Sequence, residues 1–391
     1  MISRFLCSSG VVSDMRMQKD LLPKGILHEG LKYEKGMGVI MDQLYDIIRQ
    51  NQELWDLYTR KEEYTSQRRD RYDCFRYAYS THQEVRKPLV SRYLLDHGYK
   101  IEYPNNSSFA VCLTHDVDEI YPPPIHSLLS SISCIRNLDF DRFKNQLFWK
   151  FRDKVKSPYW NFNEIMELEE KYGAKSTFFF IATNVDIRRF RYNIEDLKSE
   201  LGSIVDKGWE VGLHGGYYAF NNLGEILREK DRLEKVLGRK VTGYRNHYLR
   251  FKVPDSWKLL AQAEFKYDTT LGYQDTVGFR NGMCHPFRPV DISNDEVVPL
   301  DIMEIPLILM DGTLFNSFKN FNDAWEITKI LIDTVESSKG VLTINWHSNN
   351  FNCPFKEEWS KLYKMILEYC YAKNAWMTTG DAIYHHYIGR L

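Results

Sequence analysis

The stretch whose reading decides the fold is FAVCLTHDVDEI, Phe109–Ile120. Five apolar residues, Phe109 to Leu113, run straight into His115, Asp116, Asp118 and Glu119. A short continuous apolar run reads as a strand buried on both faces. In parallel α/β folds the residues that do chemistry sit where such strands end. A histidine and three carboxylates at that point suit a metal site or an acid–base pair. A solvated loop is the plain alternative, and the other strands must decide between them.

Outward from this stretch the pattern repeats. Ser176–Thr183, Trp209–Gly216, Lys240–Tyr248, Met303–Leu309, Gly340–His347 and Ala375–Thr379 read as strands. Between them, Asn161–Tyr172, Ile194–Lys207, Leu223–Leu237, Asp255–Ala263, Asp323–Ser337 and Lys356–Tyr371 read as helices, with a last helix through Tyr384. Tyr121–Pro158 is a long insertion that opens on Pro122–Pro123–Pro124. Alternating strands and helices in this number predict a parallel (β/α) barrel or open sheet over residues 106–391. Residues 1–105 differ: Leu44, Ile47, Ile48, Leu54 and Leu57 recur at helical spacing, and Arg68–Gly98 reads as a second helical stretch. They predict a smaller, mainly helical N-terminal domain without a catalytic pattern. The run RRDRYDCFR within it reads as a solvated face, with a docking surface as the alternative.

Bulk properties exclude several classes. The chain has 391 residues, 43% hydrophobic, and a net charge of −1, which gives no electrostatic reason to expect a nucleic-acid partner. Aromatics at 14% fit core packing and are also compatible with a sugar-binding cleft. No run of 18 apolar residues offers a membrane span. Seven scattered cysteines (Cys7, Cys74, Cys112, Cys134, Cys284, Cys353 and Cys370) lack any CxxC and fit reduced thiols. The N-terminus, with a weak apolar patch and an early Asp14, is a poor signal peptide, so the expected location is cytoplasmic. Oligomeric state is not legible.

The unusual polar residues follow the apolar part of each strand. Asp116 and Asp118 follow the first, His214 follows Val211–Leu213, Arg245 and His247 end the Lys240 strand, and His347 ends Leu342–Trp346. One histidine at a strand end is more often structural. Four strands ending this way point to a site. Histidines and carboxylates converging on one mouth suit Zn²⁺ or a similar divalent ion, which in catalytic sites takes about three protein ligands and leaves one position open. A second carboxylate is then available as a base and a histidine as an acid.

The order of these motifs resembles the polysaccharide deacetylases, the NodB-homology family of carbohydrate esterases. THDVD (Thr114–Asp118) is similar to the family's motif with a base aspartate and a metal aspartate. GLHGGYY (Gly212–Tyr218) sits where the metal-histidine motif belongs, GYRNHY (Gly243–Tyr248) resembles the arginine motif, and INWH (Ile344–His347) resembles the motif of the acid histidine. STFFFIA (Ser176–Ala182) is also similar to the family's intervening strand. The resemblance covers about residues 107–385 and implies an irregular deacetylase-type barrel. It also implies a metal-dependent hydrolase, with Zn²⁺ as the expected ion, that removes acetyl groups from an acetylated carbohydrate. More narrowly, THDVD, RNHYLR, GFRNG, MDGTL and NWH resemble a divergent HDVD-type subgroup associated with surface-polysaccharide synthesis.

The implied roles are Asp116 as base, Asp118 as metal ligand, Arg245 as the partner that orients Asp116, and His347 as acid. The reverse assignment of the two aspartates stays open. Three departures stand out. Val117 separates aspartates that are usually adjacent. Tyr218 occupies the place of the family's second histidine, and His247 replaces a proline. The expectation is that His247 returns the lost ligand, giving Asp118, His214 and His247. His115 is expected to be structural rather than a ligand. Gly215 and Gly216 are expected to let a substrate near the backbone, while Asp268, His285, Arg280 and Asp311 are expected in loops near the same strand ends, where any of them could bind sugar or orient His347. A non-catalytic glycan-binding barrel and a related hydrolase of C–N bonds in small molecules remain alternative readings.

Overall fold

A computed structural model describes residues 44–148, 157–185, 192–294 and 296–389. Cys7, the N-terminal signal-peptide reading and part of the Tyr121–Pro158 insertion lie outside the described residues. The strands are β1 Ala110–Val117, β2 Thr177–Ile181, β3 Glu210–Gly215, β4 Gly243–Asn246, β5 Tyr267–Asp268, β6 Val290–Asp291, β7 Val298–Pro299, β8 Met303–Glu304, β9 Leu309–Met310, β10 Val341–Asn345 and β11 Trp376–Thr378. Nine of these form one parallel sheet among the described residues. Its order is β8-β5-β4-β3-β2-β1-β10-β9, with β11 paired to β1, while β6 and β7 make a separate antiparallel pair. Every residue of β1 is buried, as a parallel strand covered on both faces requires. Its first half pairs with β11 and its second half with β2, while β10 runs along its other side.

The stretch Met303–Leu309, read as one strand, is two. Pro306 has no N–H to give a ladder. Met303–Glu304 therefore pairs with β5 at one edge, and Leu309–Met310 pairs with β10 at the other. The chain between them spans the gap, with Ile305 N donating to Asp268 O (2.9 Å) and Ile308 N to Thr343 O (3.2 Å). The sheet thus curls into an irregular deacetylase-type barrel closed by a covalent segment rather than by a full ladder.

The helix Leu223–Leu237 matches its sequence reading because both ends are marked. Asn222 accepts a hydrogen bond from Glu225 N (3.2 Å), and Gly238 turns the chain at φ +74°. Such an N-cap contributes about 1 kcal/mol. Ile226 and Leu233 bury its apolar face.

The Arg68–Gly98 reading holds only for the helix Leu89–Asp96. The Asp70 carboxylate accepts from Tyr72 N (2.8 Å) and Cys74 N (3.0 Å), a local turn that competes with helix, and Pro88 cannot continue one. Helices Gln52–Thr59 and Leu89–Asp96 bury Trp55, Leu57, Tyr58, Val90 and Leu94 in the same apolar cluster as Met283 and Phe287 of the barrel. Tyr45 and Tyr58 donate to Arg288 O, and the buried carboxylate of Glu63 pairs with Arg280 (2.6 Å) and Arg60 (2.8 Å).

Candidate active site

Side chains alternate across a strand, so residues two apart share a face. Asp116 and Asp118 are two apart at the end of β1 and turn to the barrel mouth, while His115 between its neighbours turns outward. Val117 is therefore a spacer that keeps both carboxylates on one face. In the ladder β3–β4, His214 lies opposite Arg245, and β2 brings Ile181 opposite His214. Parallel register thus sets the groups at one level from four strand ends.

One ligand atom each from Asp118, His214 and His247 falls within 4.8 Å of the others. His214 Nε2 is 3.2 Å from Asp118 Oδ1 and 3.6 Å from Asp116 Oδ2. His247 Nε2 is 3.6 Å and His347 Nε2 3.8 Å from Asp118 Oδ2. Asp116 Oδ1, Asp118 Oδ1 and His214 Nε2 are buried without a hydrogen-bond partner. Buried polar atoms are normally satisfied, so this set fits a cation-binding role. Tyr218, at the place of the family's second histidine, is 45% exposed.

His247 ends β4 and begins a tight turn in which Tyr248 and Leu249 both have positive φ, +60° and +48°. Two successive non-glycine residues in that region cost free energy and cluster at functional sites. Cys74 and Gln274 hold the turn through its carbonyls. The His247 ring stacks on Tyr248 (4.2 Å), and Tyr248 stacks on Tyr72 (4.6 Å, 12°). The N-terminal segment therefore reaches the residue beside a candidate ligand, which the sequence reading missed; no spacing links position 72 to position 248.

The base candidate is held from two sides. Asn345 Nδ2 donates to Asp116 Oδ2 (2.7 Å), and Asp116 N donates back to Asn345 Oδ1 (3.2 Å). Arg245 Nη1 faces Asp116 Oδ1 at 3.6 Å, a charge contact rather than a hydrogen bond. Arg245 also donates to Thr269 Oγ1 (3.0 Å) and lies over the Phe179 ring (5.1 Å). Asn345 went unrecognised, although INWH contains it. Its role comes from pairing across β1 and β10.

His347 is fixed by Asp311, at the end of β9. Its Nδ1 lies 2.7 Å from Asp311 Oδ1, and its backbone N donates to Asp311 Oδ2 (2.9 Å). Asn350 donates to the same carboxylate (2.6 Å), and Lys356 donates to Asn350 (2.8 Å). Nε2 is left toward the mouth side, where Asp118 lies.

Electrostatics follow from three histidines among buried carboxylates. Burial alone would push the Asp118 carboxyl up, but His247, His214 and His347 hold it well below the usual carboxylate range. Burial disfavours a charged His214, yet Asp116 and Asp118 raise it. Burial likewise opposes charge on His347, and Asp311 raises it to about 10. The proton that Asp116 and Asp118 hold on His214 is one that a metal ion bound there would displace.

His115, expected to be structural, is fully buried on the far face, 2.8 Å from Glu169 Oε1 and 2.8 Å from Trp346 O. Other expectations are corrected. His285 bonds Ser91 Oγ and Lys339 O, and Arg280 pairs with Glu63, so both serve the packing of the N-terminal helices rather than the mouth. Asp268 lies opposite Glu304 in the β5–β8 pair, and burial pushes its carboxyl up to about 6. Gly215 and Gly216 make room for protein rather than for substrate. A Cβ would meet Tyr244 Oη at 2.0 Å at the first and Glu229 Oε1 at 2.8 Å at the second.

Residues 156–267 match the family model described as polysaccharide deacetylase. The barrel is of the polysaccharide deacetylase type. The matched stretch contains His214, Arg245 and His247, while Asp116, Asp118 and His347 lie outside it. Among solved structures, PuuE allantoinase aligns with a TM-score of 0.50 at 15% identity, over 75% of this chain and 95% of that one. A putative polysaccharide deacetylase from Mycobacterium smegmatis aligns at 0.49 and 18%, over 74% and 93%. A probable polysaccharide deacetylase from Pseudomonas aeruginosa PAO1 aligns at 0.48 and 14%, over 74% and 95%. At 15% identity the likeness to the allantoinase is one of fold. No curated protein matches by sequence.

Proposed function

We propose that this protein is a metal-dependent hydrolase that removes acetyl groups from an acetylated carbohydrate used in surface-polysaccharide synthesis. The observation that carries the reading is the convergence of Asp118, His214 and His247 beside two groups suited to proton transfer, Asp116 and His347. Asp118, His214 and His247 would hold a divalent ion, Zn²⁺ by their chemistry, which would polarise the acyl carbonyl and lower the pKa of water.

The remaining work falls to the chain's own groups. Asp116, fixed by Asn345 and faced by Arg245, accepts the proton of the attacking water at Oδ1, the oxygen left open. His347, held through Nδ1 by Asp311, delivers a proton from Nε2 to the leaving nitrogen or oxygen. Water and acetylated sugar thus yield acetate and the free amine or alcohol. Buried single cysteines without disulfides among the described residues support a reducing, cytoplasmic setting and, with it, a precursor glycan as substrate.

The test is acetate release from N- and O-acetylated saccharides by metal-stripped protein and by protein reloaded with Zn²⁺. Activity should appear only after reloading. A protein that binds Zn²⁺ and saccharide yet releases no acetate would be a glycan-binding barrel. Release of ammonia or amine from small cyclic amides, but none of acetate, would make it a small-molecule C–N hydrolase.

A further inference from the structure

The run RRDRYDCFR, whose composition marks a solvated face, is bound to the turn that carries His247. Within it Asp70–Cys74 is a closed loop. Asp70 N donates to Cys74 O (3.0 Å), and the Asp70 carboxylate accepts from Tyr72 N (2.8 Å) and Cys74 N (3.0 Å). These bonds fix the loop from within, while Tyr72 and Cys74 make its contacts with the barrel. Both contacts fall on the turn His247–Leu249. Cys74 Sγ lies 3.5 Å from Tyr248 O and 3.5 Å from Leu249 O, and Gln274 Nε2 donates to the same Tyr248 carbonyl. The half-buried Tyr72 ring lies flat on Tyr248, at 4.6 Å and 12°, and the His247 ring lies on Tyr248 at 4.2 Å and 28°. Two near-parallel rings so close to a third must take its opposite faces, so Tyr248 is held between His247 and Tyr72.

The turn needs such support. Tyr248 and Leu249 both take left-handed φ, which non-glycine residues keep only where their surroundings over-determine it. His214 takes its orientation from Nδ1, 3.1 Å from Arg245 O, the way metal-binding histidines are ordinarily aimed. His247 takes its place in a column of rings whose last member comes from outside the barrel. Arg250, just past the turn, ties the same loop to both strands: Nε donates to Tyr72 O (2.7 Å) and Nη1 to Tyr217 O, in the loop after β3. Tyr72 lies outside the apolar clusters that hold the N-terminal helices to the barrel, so its stacking is not simply part of that core.

We propose, on the reading of Asp118, His214 and His247 as metal ligands, that Tyr72 is a positioning residue for His247 and that the loop Asp70–Cys74 completes the metal site from outside the barrel. The test is the Zn²⁺ affinity of the full chain, measured by competition with a chromophoric chelator, beside the melting curve of each metal-free variant. Tyr72→Leu and Tyr72→Ala, which remove the flat ring, should each weaken Zn²⁺ binding about 10–100-fold, the usual loss when the support of a ligand is removed. Tyr72→Phe should bind like the parent, because stacking does not use the hydroxyl. Tyr58→Phe, which removes the bond to Arg288 O and loosens the N-terminal helices, should melt earlier and keep its Zn²⁺ affinity. With Co²⁺ in place of Zn²⁺, the visible absorption of Tyr72→Leu should depart from the parent's as the ligand geometry changes, and that of Tyr58→Phe should not. If Tyr72→Leu and Tyr72→Ala bind like the parent and Tyr72→Leu keeps its Co²⁺ spectrum, the ring only packs; the proposal then fails and the metal site stands. If Tyr58→Phe weakens Zn²⁺ as much as they do, general loosening is the cause and the proposal fails as well. A parent that holds no Zn²⁺ overturns the metal reading and the role of Tyr72 with it.

Discussion

The two faces of β1 carry the same chemistry and put it to opposite uses. On the outer face, His115 and Glu169 are fully buried and fully bonded. Glu169 meets His115, Tyr363, Trp209 and Ser176, all between 2.6 and 2.8 Å, and the other nitrogen of His115 meets Trp346 O. On the inner face, Asp116 and His214 are nearly as buried and Asp118 is half-buried, but each keeps a buried atom without a hydrogen bond. The difference shows that a buried histidine–carboxylate pair by itself says little about function. What separates a brace from a site is the unused bonding capacity.

The largest expected effect tests the inner face. His347→Ala should lower turnover by roughly 10²–10⁴-fold, the usual loss for an acid–base group, while metal content stays at the parent level. Steady-state acetate release and elemental analysis of one sample read both. Loss of the metal as well would make His347 a ligand.

Next comes the outer face. Glu169→Ala leaves His115, Tyr363 and Trp209 without their buried partner and should cost about 3–5 kcal/mol of stability, seen in chemical denaturation. Its metal content should not change. A folded Glu169→Ala protein that has lost its metal would mean that the two faces are one site.

Within the inner face, His247→Ala and His214→Ala should each weaken Zn²⁺ binding by more than the roughly 10–100-fold typical of an outer-shell change. Tyr218→Phe should leave it unchanged, because the exposed hydroxyl has no metal bond to lose. If His247→Ala binds like the parent and Tyr218→Phe does not, the ligand is the tyrosine.

The smallest effect concerns the support of His347. Its raised pKa of about 10 means that the folded metal-free state prefers the charged ring. The resulting stabilisation is fully present below about 6.5, the ordinary value, and is lost as pH rises toward 10. Asp311→Asn removes the main cause, so the ring should titrate back toward 6.5 in an NMR titration of the metal-free protein. An unshifted titration would show that Asp116 and Asp118, not Asp311, hold the proton.

Much of this was readable from local pattern. The buried run into HDVD, the polar residues that end four strands and the helix Leu223–Leu237 all rest on rules with a reach of a few residues. The failures were equally local in cause. An Asp70 turn and Pro88 broke a stretch of helical composition, and Pro306 split a run of apolar residues that looked like one strand.

The sequence by itself determined which side chains stand at strand ends and on which face of β1 each lies, because alternation along a strand is a property of the backbone alone. Only the tertiary structure decided how each bonding capacity is used. Glu169 reaches His115 from the helix Phe162–Glu170, Asn345 reaches Asp116 across 229 positions, and Asp311 reaches His347 across 36. Tyr72 comes to rest on Tyr248 through the packing of the N-terminal helices against the barrel. These partners are set by sheet register and by helix packing, which bring distant segments into contact and leave no periodic trace in either segment alone.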